Sequence, residues 1–141
     1  MGSNFSKVVV AGVIATLVMT AVGLYLAPMM GMPAMNPAEM LGMKMGGSVA
    51  MGWAAHLMIG VVLAFIYAKL ALGKLPGPPV VQGALFGLAP WLFSQVVMMP
   101  LMMGAEMFSG SMQVAMGSMI GHLVYGAVLG AIVGSPPAAA A

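Results

Sequence analysis

Uncharged stretches of apolar residues, each about as long as a bilayer is thick, dominate this chain. A helix needs about 20 such residues to cross a bilayer, and four stretches qualify: residues 8–26, 48–68, 80–99 and 114–133. Because backbone groups in lipid must pair internally, each stretch is predicted to be helical. The pattern therefore predicts an all-α, four-helix transmembrane bundle, a single domain over residues 1–141. The first stretch is interpreted as an uncleaved span, because it is too long for an ordinary signal peptide.

The connection between the first two spans carries a helix signal of its own. Asn36, Pro37 and Glu39 stand where an N-cap, a first-turn proline and a capping-box acid belong, and two glycines follow at Gly46 and Gly47. This order predicts a short helix over residues 37–45, lying along the outer membrane interface.

The few charges predict an orientation. Lys7 precedes the first span, and Lys69 and Lys74 lie between the second and third, so all three fall on one side of a four-span bundle. Lys44 falls on the other side. The positive-inside rule then places both termini in the cytoplasm, in a bacterial inner membrane.

The second and fourth spans repeat one plan. Each opens with Val-Ala-Met-Gly, and His56 and His122 follow 122 − 56 = 66 residues apart, each with Leu next and Gly four later. We interpret this as a duplicated helical hairpin, with repeat one over about residues 8–68 and repeat two over about 80–134. Two copies in the same orientation predict a pseudo-two-fold axis along the membrane normal. Chance resemblance among Gly, Ala, Val and Met runs is the alternative.

The two histidines are the first candidates for chemistry. Both lie about 12 Å from the outer end of their spans, at 1.5 Å per residue, and intramembrane ionisable residues are functional candidates. They are hypothesised to share a cofactor site, as axial ligands of haem b, as metal ligands or as a proton relay. The simpler alternative is two neutral rings, each hydrogen-bonded to a neighbouring helix. Haem needs room, and small residues draw helices together, which argues against haem inside the bundle.

Small residues stand four apart beside each histidine. They predict close helix packing at Gly52, Gly60, Gly117, Gly121, Gly126 and Gly130. Tyr67, near the end of its span, is expected to be an interfacial aromatic.

Methionine is unusually frequent, with 19 residues. Apart from Met1, they fall in the middle to outer half of the predicted spans or in the predicted outer connections. Thioethers suit Cu(I), so an outer copper site is hypothesised at Met29, Met30, Met32, Met35, Met102 and Met103. The alternative is that methionine serves as flexible apolar filler.

Composition limits the classes of function. Hydrophobic residues make up 62% and charged residues 4%, and there is no Cys. The chain offers no basic patch for nucleic acid, no thiolate and no carboxylate within a span, so an enzyme is not expected. The expected partners are the lipid bilayer and other membrane protein subunits.

Four segments resemble a group of small, four-span bacterial membrane proteins without assigned activity: MNPAEMLG, GWAAHLMIG, ALFGLAPWL and GHLVYGAVLGAIVG. The resemblance covers nearly the whole chain and supports the four-helix prediction.

On the sequence alone we expect a non-catalytic accessory subunit of a larger bacterial membrane complex, of respiratory or redox type, that holds no cofactor. The alternatives are a protein that binds Cu(I) or haem b, and a small-molecule channel.

Overall fold

The structure is a computed structural model that describes residues 2–104 and 106–134. Within them it is all-helical, and four helices are long and apolar enough to cross a membrane, so this is a multi-pass membrane protein. With the short helix between the first two, the helices are α1 (Asn4–Met29), α2 (Pro37–Lys44), α3 (Val49–Ala71), α4 (Pro79–Met102) and α5 (Met112–Val133). The predicted four-helix architecture is confirmed. Residues 1, 105 and 135–141, predicted to belong to the same domain, lie outside the described residues.

The short helix between the first two spans is confirmed with one residue less than predicted. Asn36 adopts an extended conformation, and its side chain accepts a hydrogen bond of 3.1 Å from the Ala38 amide. The last helical residue is Lys44, and Gly46 and Gly47, both with positive φ, turn the chain away. This helix also docks on the bundle: Ala38 is completely buried.

The spanning helices follow the order α3, α1, α5, α4. The helix α1 packs against both α3 and α5, and α5 packs extensively against α4, whereas α3 and α4 hardly touch except where α3 ends and α4 begins. A pseudo-two-fold axis that exchanges α1 with α4 and α3 with α5 maps the α1–α5 contact onto an α3–α4 contact. The bundle therefore breaks this symmetry, because one of two equivalent interfaces is closed and the other is open.

A π-helical turn interrupts the first and the third span, α1 and α4, at corresponding places. The turns are Val22–Leu26 in α1 and Ser94–Met98 in α4, and their first residues are 94 − 22 = 72 apart. Such turns widen a helix by one residue and often mark functional sites.

Glycines set the distances between helices. On α5, Gly126 and Gly130 meet the backbone of Gly83 and Pro79 on α4, with no room for a Cβ. Gly60 of α3 leaves no room for a Cβ either, but there the nearest atoms belong to the Thr16 side chain of α1. Gly52 meets the short helix α2, not a spanning helix, and Gly117 and Gly121 face side chains of the first repeat, Met32 and Met19.

Tyr67 corrects the sequence interpretation. It is not interfacial but 0% exposed, in the core with Ala64, Tyr125 and Leu129. Its ring lies 5.3 Å from that of Phe86 on α4. This contact closes one end of the gap between α3 and α4, where α3 ends and α4 begins.

Candidate functional site

His56 is held by a chain of hydrogen bonds to α1. Its Nε2 lies 2.9 Å from the Thr20 hydroxyl, which in turn donates to the Thr16 carbonyl at 2.8 Å. The imidazole is only 6% exposed, and the Trp53 ring lies 6.0 Å from it. The ring is therefore fixed against α1 and does not point into lipid.

His122 is held by its own helix. Its Nδ1 lies 2.8 Å from the carbonyl oxygen of Ser118, one turn earlier. The Ser118 hydroxyl accepts a bond of 3.3 Å from the amide nitrogen of Gln95 on α4. The two repeat-equivalent histidines are thus anchored through opposite ring nitrogens.

Both histidines line one cavity of about 540 Å³, which lies where α3 and α4 separate. Pro37, Met40 and Leu41 from the connection between α1 and α3 line one end of the cavity, and Phe86 of α4 lines the other end. Ile59 and Phe93 lie on its rim and are 39% and 55% exposed, so the opening is apolar and faces sideways. The cavity therefore has lateral access from the surface that the bilayer covers.

The room in the bundle is larger than the sequence suggested. We expected small residues to draw all helices together and to leave no space for a haem-sized group. Gly60 and Gly126 do close the α1–α3 and α4–α5 interfaces. No such pair joins α3 to α4 among the described residues, and this is where the cavity lies.

Polar groups form a small band within an otherwise apolar wall. The Thr16 hydroxyl donates to Gly12 at 2.7 Å, and the Tyr125 hydroxyl crosses from α5 to the Gly60 carbonyl at 2.6 Å. Ser94 donates to the Trp91 carbonyl at 2.7 Å. All three polar side chains line the cavity, as do Gln95 and Ser118, and none of the lining residues that the structure describes is charged.

The hypothesised copper ligands do not form one group. Met35 and Met102 line the cavity, while Met29 and Met30 are 83% and 55% exposed. Met32 packs beside Gly117, and the side chain of Met103 lies outside the described residues. Four other methionines line the cavity instead: Met19, Met40, Met98 and Met99. Among residues 2–104 and 106–134, no three side chains of His, Cys, Asp or Glu come together to hold a metal.

Tyr125 is the site residue that the sequence interpretation overlooked. It follows His122 by three residues and therefore lies on the same face of α5. Its partner Gly60 follows His56 by four residues and lies on the same face of α3. Helical periodicity could therefore have placed both partners of this hydrogen bond on the faces that carry the histidines.

A family model covers residues 3–138 of the chain, and its description is "Family of unknown function (DUF6789)". The chain belongs to the DUF6789 family. This confirms the resemblance to a group without assigned activity. No curated protein and no solved structure matches the chain. The interpretation of the site therefore depends on the geometry of this DUF6789 protein alone.

Proposed function

We propose that this protein binds a small apolar molecule within the membrane, in the cavity between α3 and α4. The observation that carries the proposal is the cavity itself, which occupies the one repeat-equivalent interface that the bundle leaves open. Its volume of about 540 Å³ falls in the usual range for ligand sites, about 300–1,000 Å³. An apolar wall with a few converging polar groups is also typical of such sites.

Physical reasoning favours a neutral organic ligand over the two cofactors considered from the sequence. A single Cu(I) ion needs two to four close donors and would leave most of this volume unfilled. Haem carries carboxylates, and the described residues of the cavity lining include no Lys or Arg to pair with them. A neutral molecule that enters from the bilayer avoids both difficulties.

The test is to identify what the cavity retains. Protein purified from its native membrane in mild detergent is extracted with organic solvent, and bound molecules are counted by mass spectrometry against protein. Ile59→Trp narrows the cavity from its rim. Met58→Trp is the matched control, because Met58 is the preceding residue on α3, is 63% exposed and does not line the cavity.

We expect wild type and Met58→Trp to retain the same molecule near one equivalent and Ile59→Trp to lose it. Equal retention by all three proteins, or only bulk lipid in each, would contradict a binding role for the cavity. Circular dichroism confirms that each variant is folded.

A second candidate is the accessory subunit expected from the sequence. Large apolar side chains at the outer ends of the spanning helices are strongly exposed: Met29 at 83%, Leu101 at 79% and Met112 at 69%. Another membrane protein that packs on this end would bury them. Cross-linking in native membranes followed by co-purification tests this role, and recovery of the protein alone would argue against it.

We also propose that both termini face the cytoplasm of a bacterial inner membrane, which the lysine distribution supports. The chain has no Cys, so single cysteines can report its topology. Lys44→Cys should react with an impermeant maleimide in intact spheroplasts, and Lys74→Cys only after lysis. The reverse pattern would overturn this orientation.

A further inference from the structure

We infer that the cavity recognises a neutral, lipid-soluble molecule whose headgroup donates two hydrogen bonds, as an alkyl hydroquinone does. This inference rests on the proposed binding function and names the chemistry of its ligand. It follows from counting which hydrogen atoms at the site are already committed within the protein.

The hydroxyl donors at the cavity are committed to backbone carbonyls. Thr16 donates to Gly12, Tyr125 to Gly60 and Ser94 to Trp91. Each hydroxyl has one hydrogen, so these three groups can offer a ligand only their oxygen lone pairs. Ser118 has no such carbonyl partner among the described residues, and its oxygen lies 3.5 Å from His122 Nδ1. Its hydrogen is therefore the one hydroxyl hydrogen of the described lining that a ligand could use.

The histidine tautomers follow from the same count. Thr20 spends its hydrogen on the Thr16 carbonyl, so its oxygen can only accept from His56. Nε2 of His56 is therefore protonated, and Nδ1 carries a lone pair. A carbonyl can only accept, so the Ser118 carbonyl makes Nδ1 of His122 the protonated nitrogen. The lone pair of His122 is then on Nε2.

These two lone pairs are available to a ligand. Neither His56 Nδ1 nor His122 Nε2 has a hydrogen-bond partner within the part of the chain that the structure describes. Neither is sealed off, because there only the Tyr67 hydroxyl is both fully buried and unpaired. Both rings line the same cavity, so the site presents two neutral acceptors to one ligand.

An apolar site that is rich in hydrogen-bond acceptors favours ligands that bring donors, because it cannot pair most acceptors of a ligand. A hydroquinone brings two O–H donors and meets two imidazole nitrogens. A quinone or an ether of the same shape brings only acceptors. The Ser118 hydroxyl can satisfy one of them, and burying the others without donors is unfavourable. The described part of the lining has no charged group to pair with a phosphate or carboxylate headgroup. An alkyl tail can leave through the apolar opening between α3 and α4.

The test compares three compounds of one shape: an alkyl hydroquinone, its quinone and its dimethyl ether. Each partitions between nanodiscs with and without the protein under anaerobic conditions, and mass spectrometry measures the enrichment. We expect the hydroquinone to be enriched at least tenfold over the other two. Equal enrichment of all three, or a preference for the quinone, would overturn the inference with no variant needed.

Variants separate this inference from the proposed function. His56→Phe and His122→Phe should each reduce the hydroquinone preference at least threefold while leaving the ether unchanged. If all three compounds bind equally and Ile59→Trp abolishes binding, the cavity binds ligands, but the inferred preference for a ligand that donates hydrogen bonds is wrong. If no compound is enriched over Ile59→Trp, both proposals fail. Cu(I) that survives washing with a chelator, with no enrichment of hydroquinone, would identify the nitrogens as metal ligands and overturn the inference.

Discussion

The tightest interface of the bundle allows a controlled test of the fold. At Gly126 of α5, an added Cβ would meet the Gly83 carbonyl carbon at 2.7 Å and the Gly87 amide nitrogen at 3.1 Å, besides the Gly83 oxygen. All are backbone atoms of α4, so no change of rotamer can relieve the contact. At Gly121, five residues earlier on the same helix, the nearest atom is the flexible Met19 Cγ at 3.6 Å.

Gly126→Ala and Gly121→Ala gain the same helix propensity, up to about 1 kcal/mol, so this term cancels between them. Overpacking usually costs about 1–3 kcal/mol, and it applies only to Gly126→Ala. We therefore expect Gly126→Ala to have a free energy of unfolding about 1–3 kcal/mol below that of Gly121→Ala.

Reversible unfolding in mixed detergent and sodium dodecyl sulfate micelles, followed by circular dichroism, measures this difference. The control variant should be as stable as wild type or slightly more stable. Two variants of equal stability would show that α4 and α5 do not approach each other at Gly83 and Gly126 as the structure has them.

Three further predictions concern the hydrogen bonds of the site. Thr20→Val should lower the free energy of unfolding by about 0.6–1.7 kcal/mol, from the average to the maximum measured for interhelical hydrogen bonds in a membrane protein; a variant as stable as wild type would contradict the His56–Thr20 contact. Tyr125→Phe should cost a similar amount in the same assay, because it removes the hydrogen bond from the Tyr125 hydroxyl on α5 to the Gly60 carbonyl on α3, and an unchanged stability would argue against that bond. ¹⁵N-histidine NMR should find opposite tautomers, with His56 protonated on Nε2 and His122 on Nδ1. The same tautomer for both rings would refute the assignment of hydrogens at the site.

Local rules were enough to predict most of the fold. The length of each apolar stretch predicts a spanning helix, and Asn36 followed by Pro37 predicts the start of α2. The glycine spacing also indicated which face of α5 meets a neighbour at Gly126 and Gly130. These features depend on residues near each other in the sequence, which is why they could be predicted.

The site could be predicted only in part. The repeat indicated that His56 and His122 lie at one level, and the structure brings them to one cavity. The cavity itself was not predictable, because a duplicated hairpin suggests two equivalent interfaces and gives no reason for one to open. The tautomers depend on partners that differ between the repeats, Thr20 for one ring and the Ser118 carbonyl for the other. Tyr67 was misjudged because its position near a span end gives no information on the helix that packs over it.

The most direct test of the binding cavity is NMR of the methionine methyl groups with an alkyl hydroquinone. Six methionines line the cavity and report from its wall: Met19, Met35, Met40, Met98, Met99 and Met102. Met58 and Met116, which are 63% and 47% exposed and outside the lining, report from the outer surface. We expect saturable shifts at the cavity methionines and none at Met58 or Met116. Shifts confined to Met58 and Met116, or no saturable shift at all, would contradict binding of the hydroquinone in the cavity.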